Sequence, residues 1–337
     1  MRAAAPGTTA AFAPEALDRI RAAEAVVARH AEAEQPVYGL NTGLGGNLGT
    51  RIARNQVADF QVALIRGRAI AVGPALPQAT CSAAMLCRLA EIAGGATGIS
   101  LPAAELLLGM FNRGVVPVLP GLGSIGASDI GILGHLAAAM IGRGEAWHAG
   151  HRMPAAQALA EAGLAPLVPG LKDGLALVSH GAASSAAAAM ALHAIGARLR
   201  QNMAVLALAM EGYAANLAIH DPRLAALRPA PGQAEAAAEL RRLLAGSALA
   251  APGGARNLQD ALCFRLAAPV MGAAFAALRQ AEALVETEIN GATTSPAVLV
   301  ESGEILSSPN FHAPALTLAL DGLAAALAHA SSASGLR

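Results

Sequence analysis

Tyr38 opens the stretch YGLNTGLGGNLG (38–49), which holds five glycines and two asparagines, and it is one of only two tyrosines in the chain. That much glycine disfavours a helix and favours a mobile loop with several positive-φ positions. A phenol carried on such a loop can be brought into a pocket as a general acid or base; the plainer alternative is a tyrosine that anchors a surface loop to the core. Asn41, three residues on, is a polar candidate for contact with a substrate. The stretch is no phosphate-binding fingerprint, because no strand precedes it and no Walker lysine follows. A second Gly/Pro run, PVLPGLGSIGA (117–127), leads into Ala127-Ser128-Asp129. There the simplest role for Ser128 or Asp129 is to cap the helix that IGILGHLAAAMIG (130–142) predicts. Arg265 lies in NLQDALCFRLAAPVMGAA (257–274), where Gln259 and Asp260 are its strongly polar neighbours. A guanidinium stays protonated and is costly to bury alone, so Arg265 needs an anion, either a protein carboxylate or that of a substrate. His180, after Ser179, reads as a core or interface histidine or as an acid/base.

The elements that must position these groups are helical. Apolar residues recur at intervals of three and four, as in Leu17, Ile20, Ala23 and Val26-Val27, the spacing of one helix face. Similar patterns cover 54–71, 76–94, 102–113, 130–142, 174–218, 233–246, 257–290 and 312–331, and strand signals are scarce. Alanine lets helix backbones approach closely, so the fold expected is all-α, with the faces of 174–218 and 312–331 buried against other helices or other subunits. A third loop, PLVPGLKDG (166–174), precedes the longest helical stretch. The division expected lies near 150, where WHAGHRMP interrupts the pattern, giving regions 1–150 and 151–337.

Composition narrows the function. Of 337 residues, 55% are hydrophobic, 14% charged and 3% aromatic, and 23 Lys+Arg balance 23 Asp+Glu. Zero net charge argues against nucleic acid or an anionic membrane as partner, since both are held by Lys/Arg contacts to phosphate. Alanine carries much of the apolar content, and Glu211, His193 and Asp321 interrupt the most apolar stretches within a bilayer-length window. Cys81, Cys87 and Cys263 form neither a disulfide framework nor a closely spaced metal pair. The first twenty residues make a poor secretory signal, and a cytoplasmic location is expected.

Six segments, YGLNTGLG, GSIGASDIGILGH, GLKDGLALVS, LQDALCFRLAAPVMGA, ETEINGATTSPAVLV and SPNFHAPALTLALDGLA, occur in this order. Together they resemble the signature segments of the aromatic amino acid ammonia-lyases, a superfamily of histidine, phenylalanine and tyrosine ammonia-lyases and aminomutases. The likeness runs from about residue 14 to the last residue, where the family continues into a further helical segment with a Gln-Glu pair. It implies an ammonia-lyase-like fold with a long central helical bundle, a homotetramer, and active sites drawn from more than one subunit. It also implies elimination of ammonia from an aromatic or histidine-like α-amino acid by methylidene-imidazolone (MIO), formed autocatalytically from an internal Ala-Ser-Gly.

Residue by residue, the resemblance makes Tyr38 the base that removes the β-proton, Arg265 the carboxylate clamp with Gln259 near it, and Phe311 an aromatic at the pocket. Tyr38, Arg265 and the 126–129 turn are then expected to line one polar pocket. Arg68 falls where histidine lyases carry a histidine and points to an acidic or otherwise polar side chain. The departures are specific. The family reads A-S-G-D where this chain reads Ala127-Ser128-Asp129, one residue shorter. Its supporting asparagine meets Ser179-His180, one residue longer, and its Q-D-P-Y tyrosine is Leu262. MIO formation needs the amide nitrogen after the serine to attack the carbonyl before it, in a tight turn that glycine permits and a Cβ opposes. Ser128 is therefore expected not to be fully converted, with the Asp129 carboxylate capping the helix that begins at Ile130. The rival expectations are a relative without MIO that carries out proton transfer or elimination on a carboxylate substrate, and an inert structural or regulatory subunit.

Overall fold

The computed structural model describes residues 7–33 and 35–335. It is mainly helical, as the alanine-rich periodicity requires, with short strands of two to four residues. Helices run at Pro14–Glu32, Val57–Arg68, Gln78–Gly94, Leu101–Asn112, Ile130–Met140, Asp173–Val178, Ala182–Tyr213, Gln233–Leu243, Ala267–Asn290 and Pro314–Gly335, with shorter turns between them. Ends are set locally: Ser100 accepts the N–H of Ala103 and Pro102 occupies the first turn of the fourth helix, while Gly95 closes the third in the left-handed conformation.

The chain divides into two compact units. The first comprises Met1–Met190 and Glu286–Pro314, the second Ala191–Val285 and Ala315–Arg337. The break expected near 150 is instead a β-hairpin inside the first unit, with Glu145–His148 paired antiparallel to His151–Pro154; the glycine of WHAGHRMP turns a hairpin there.

The first unit is organised around three helices that pack on one another, Val57–Arg68, Ile130–Met140 and Asp173–Val178. Ile65, Leu133, Leu136, Leu177 and Val178 are buried there, together with Met85 and Leu107 of the neighbouring helices. Close approach needs glycine: a Cβ on Gly134 would stand 2.1 Å from the Arg68 carbonyl oxygen. The continuous helix expected over 174–218 is broken at Ser179-His180-Gly181. That interruption is where the candidate site forms.

Candidate active site

The tyrosine loop is held at its base and open at its tip. Gly39 takes φ +71° and Gly45 φ +57°. Gln61, fully buried, donates to the Gly39 carbonyl at 3.0 Å and accepts from the Gly174 N–H at 2.8 Å. One side chain thus ties the residue after Tyr38 to the segment following the third loop. The half-buried Tyr38 hydroxyl accepts the Gly45 N–H at 3.1 Å. No described residue accepts its proton. Asn41 does not serve as a free polar contact: its oxygen accepts from Val37 N–H at 2.8 Å and its amide donates to the Gln35 carbonyl at 2.8 Å. Both of its polar groups are spent on folding the loop.

The 127–129 turn is anchored on every side. Ser128 sits at φ +60°, a conformation that costs a non-glycine residue of order 1 kcal/mol or more and persists only where surroundings enforce it. Three do. Its N–H donates to the Phe311 carbonyl at 2.7 Å, Asp129 N–H donates to the His180 carbonyl at 2.8 Å, and Ala127 pairs with His312 in an isolated antiparallel bridge. His312 Nδ1 lies 2.8 Å from the Gly126 carbonyl. The Asp129 carboxylate does not cap its own helix. It accepts the N–H and hydroxyl of Ser184 at 2.7 and 2.6 Å, and so caps the start of the Ala182–Tyr213 helix, where free N–H groups and the helix dipole favour an anion.

Beneath the turn lies a buried polar network. Arg88, with no exposed surface, pairs with Glu91 and donates to the Ala176 carbonyl. Glu91 also accepts the N–H groups of Thr293 and Thr294 at 2.7 and 2.8 Å. The His180 ring is sealed in the core, Nε2 3.6 Å from Glu91, so His180 is no pocket acid/base and acts here through its backbone carbonyl. Burial, then the Arg88 charge, holds its pKa well below the usual histidine value. Lys172 donates to the Thr97 and Pro296 carbonyls at 2.7 and 3.1 Å, and Asp173 accepts from Ser100 and Gly170. Burial pushes the Lys172 ammonium down to about 7, Arg88 acts in the same direction and Asp173 opposes. Sequence reasoning passed over Gln61, Arg88 and Glu91, although a charged pair three residues apart inside the apolar run CSAAMLCRLAEIAG invites the argument applied to Arg265.

Phe311 is 39% exposed and meets the turn through its carbonyl. The last helix starts at Pro314, and Asn310 donates to the Ala292 carbonyl at 3.2 Å. Arg68, half-buried, lines a cavity beside the tyrosine loop. In the second unit, Gln259 precedes any helix and Arg265 ends the short turn Leu262–Arg265 rather than riding a long helix. With the Gln259 oxygen facing the guanidinium, it accepts from both terminal nitrogens of Arg265 at 2.8 and 2.6 Å. Tyr213 stacks on Phe264 with ring centroids 4.6 Å apart, and Arg256 lies 5.5 Å over the Tyr213 ring.

The family model for aromatic amino acid lyase matches residues 1–337. The chain belongs to that family. Its similarity to individual members is also high. The histidine ammonia-lyase of Myxococcus xanthus (strain DK1622) is 38% identical over 98% of this chain, which spans 65% of that protein's length. Among solved structures, ergothionase from Treponema denticola superposes with a TM-score of 0.94 at 30% identity, covering 98% of this chain and 67% of the other. Histidine ammonia-lyase from Trypanosoma cruzi gives 0.85 at 31%, covering 98% and 62%.

The aromatic amino acid lyase family is known to use MIO, whose ring would close between the nitrogen of residue 129 and the carbonyl carbon of residue 127. In this member the attacking nitrogen's N–H is committed to the His180 carbonyl, and a Cβ stands where the family has none. Swinging that amide would drag a carboxylate that is 1% exposed away from both Ser184 hydrogen bonds. The residues present do not fit the group.

Proposed function

We propose that the chain is a carbon–nitrogen lyase that eliminates ammonia from an aromatic or histidine-like α-amino acid, and that its Ala127-Ser128-Asp129 turn stays uncyclised. The observation that carries this is Tyr38, whose oxygen is held by one backbone N–H at the mouth of a glycine-rich loop. In the reaction Tyr38 acts as its phenolate, its own proton having passed to solvent; the phenolate oxygen takes the β-proton, the C–H electrons become the Cα–Cβ double bond, and the C–N pair leaves with nitrogen as ammonia. Arg265 and Gln259, supplied by a neighbouring subunit as the family's shared active sites imply, hold the carboxylate, since a guanidinium forks onto two oxygens. No step passes through MIO, so the side chain itself has to stabilise charge developing at Cβ. An aromatic or imidazole ring does this by conjugation.

Support comes from family membership and from likeness to histidine ammonia-lyases. The 127–129 geometry favours the variant of this reading in which proton transfer or elimination on a carboxylate substrate proceeds with protein groups alone. A cytoplasmic homotetramer is part of the proposal. Val205, Leu208 and Leu318 are 62%, 73% and 72% exposed, apolar surface that assembly would cover, and a monomer in light scattering at micromolar concentration removes that part. Two measurements test the core. Ammonia release with an ultraviolet-absorbing unsaturated acid as co-product is expected from histidine, phenylalanine or tyrosine analogues; its absence across such a panel leaves an inert subunit as the better reading. Intact-mass spectrometry is expected to give the encoded mass, and a mass two waters lower overturns the uncyclised turn.

A further inference from the structure

Gln61 is 0% exposed on the Val57–Arg68 helix, and both ends of its amide are used. The nitrogen donates to the Gly39 carbonyl at 3.0 Å, and the oxygen accepts the Gly174 N–H at 2.8 Å. A carbonyl only accepts and an N–H only donates, so the amide fits in one orientation. The fit is also close: a Cβ on Gly174 would stand 2.8 Å from the side-chain oxygen of Gln61 and 2.9 Å from its backbone oxygen.

The two bonds join the tyrosine loop to the segment that anchors the 127–129 turn. On one side, Gly39 directly follows Tyr38. Val37, on the other flank of Tyr38, is bonded by Leu40 and Asn41, which belong to the loop and travel with it. Among the described residues, the Gln61 hydrogen bond is the one that ties 37–40 to chain outside 35–52. On the other side, Gly174 lies in the first turn of the Asp173–Val178 helix. That helix leads to His180, whose carbonyl holds the Asp129 N–H at 2.8 Å. An apolar side chain of similar size would fill the space and leave the loop free to slide, whereas a fully satisfied buried amide specifies one arrangement.

We propose that Gln61 is a positioning residue for Tyr38, fixing where the phenol stands relative to the 127–129 turn. It acts through the Gly39 peptide and touches no substrate. The proposal rests on the lyase reading for what Tyr38 does once placed. It rests on the two hydrogen bonds for the placement itself.

The chain has two tyrosines, so Tyr213→Phe leaves Tyr38 as the only phenol. Fluorotyrosine incorporated into that full chain gives a fluorine NMR signal that reads Tyr38 without turnover. In Gln61→Leu the signal is expected to shift or broaden. There kcat for ammonia release should fall by about 10²-fold with KM within about twofold, the loss that a misplacement of about 1 Å brings. Gln61→Glu is the sharper variant. Protonated, its carboxyl can still donate to Gly39 and accept from Gly174; ionised, it cannot donate. Burial raises its pKa towards the roughly 8–9 of fully buried glutamates, and the Gly174 N–H pulls the other way. Its signal and kcat should match those of the glutamine chain at about pH 5.5 and diverge by about pH 8, which a loss of packing alone would not produce. If Gln61→Leu fails to fold by circular dichroism, Gln61→Glu carries the test; if Tyr213→Phe fails, the Tyr213 signal of the unaltered chain becomes the internal reference. An unmoved Tyr38 signal in Gln61→Leu, an unchanged kcat where ammonia is released, or a Gln61→Glu difference that is the same at both pH values overturns the proposal. A moved signal without ammonia from histidine, phenylalanine or tyrosine removes the lyase reading and leaves Gln61 its role; ammonia with an unmoved signal does the reverse.

Discussion

The tyrosine loop and the 127–129 turn both belong to the first unit, yet they are held in opposite ways. In the loop, a Cβ added at Gly45, Gly46 or Gly49 would meet nothing within 4 Å, and Gln61 grips the chain only at its base. In the turn, a strained Ser128 is fixed by backbone bonds to residues 180 and 311 and by a buried carboxylate on the helix at 184. A group that must approach and leave a substrate needs low local stability around it, and a group that must not move needs the reverse. The contrast leaves open space around the tip of the loop beyond Tyr38 and pins the peptide that carries MIO elsewhere in the family.

The largest expected effect breaks the mobile half. Tyr38→Phe should slow turnover by about 10²- to 10⁴-fold, the usual worth of a positioned acid/base, with the urea midpoint nearly unchanged; steady-state kinetics beside urea unfolding checks both. The rigid half is broken next. Asp129→Ala strips the helix at 184 of its buried cap and should cost about 2–4 kcal/mol in urea unfolding. Asp129→Asn, which can still accept a hydrogen bond, should cost less, and a loss below about 0.5 kcal/mol for alanine would mean the turn is not anchored there.

Acid provides a gentler probe of the turn. Burial keeps His180 neutral in the fold, while unfolded chain takes a proton near the ordinary 6.5. The unfolded state then binds more protons as pH falls below that value, so the stabilisation present above about 6.5 is lost on acidification. The melting temperature should drop across that window, and His180→Gln should flatten this limb of the profile. Smallest of all, Gly46→Ala in the open loop should shift stability by no more than about 0.5 kcal/mol, measured by thermal melting. A larger loss would show that the loop is packed rather than free.

The sequence carried the helices well because alanine-rich periodicity is a local signal, and the segments at 76–94, 102–113 and 130–142 reappear within a few residues of their expected ends. The loop carrying Tyr38 was legible for the same reason, since a run of five glycines disfavours a helix locally, and two of them, Gly39 and Gly45, take positive φ. What stayed hidden is long-range. Nothing within Ala127-Ser128-Asp129 announces that its carboxylate serves a helix 55 residues away. Nor does Ser179-His180 reveal that the run 174–218 must break there to present a carbonyl. Asn41 misled because an asparagine beside a tyrosine looks like a ligand, whereas in a tight loop its amide closes back on the main chain. Arg265 misled in its setting, because Gln259 to Arg265 reads as helix while only its last residues coil.

The bond from Ser128 N–H to the Phe311 carbonyl has a consequence for how the protein is made. A ribosome releases residue 128 long before residue 311, and chains begin to fold from the amino end as they emerge. Throughout that interval the turn lacks one of the partners that enforces its left-handed serine, while closing so distant a contact is slow. The turn therefore sets late, only after the segment around residue 311 has been made. Until it sets, Ser128 samples the ordinary extended conformations of an unanchored residue.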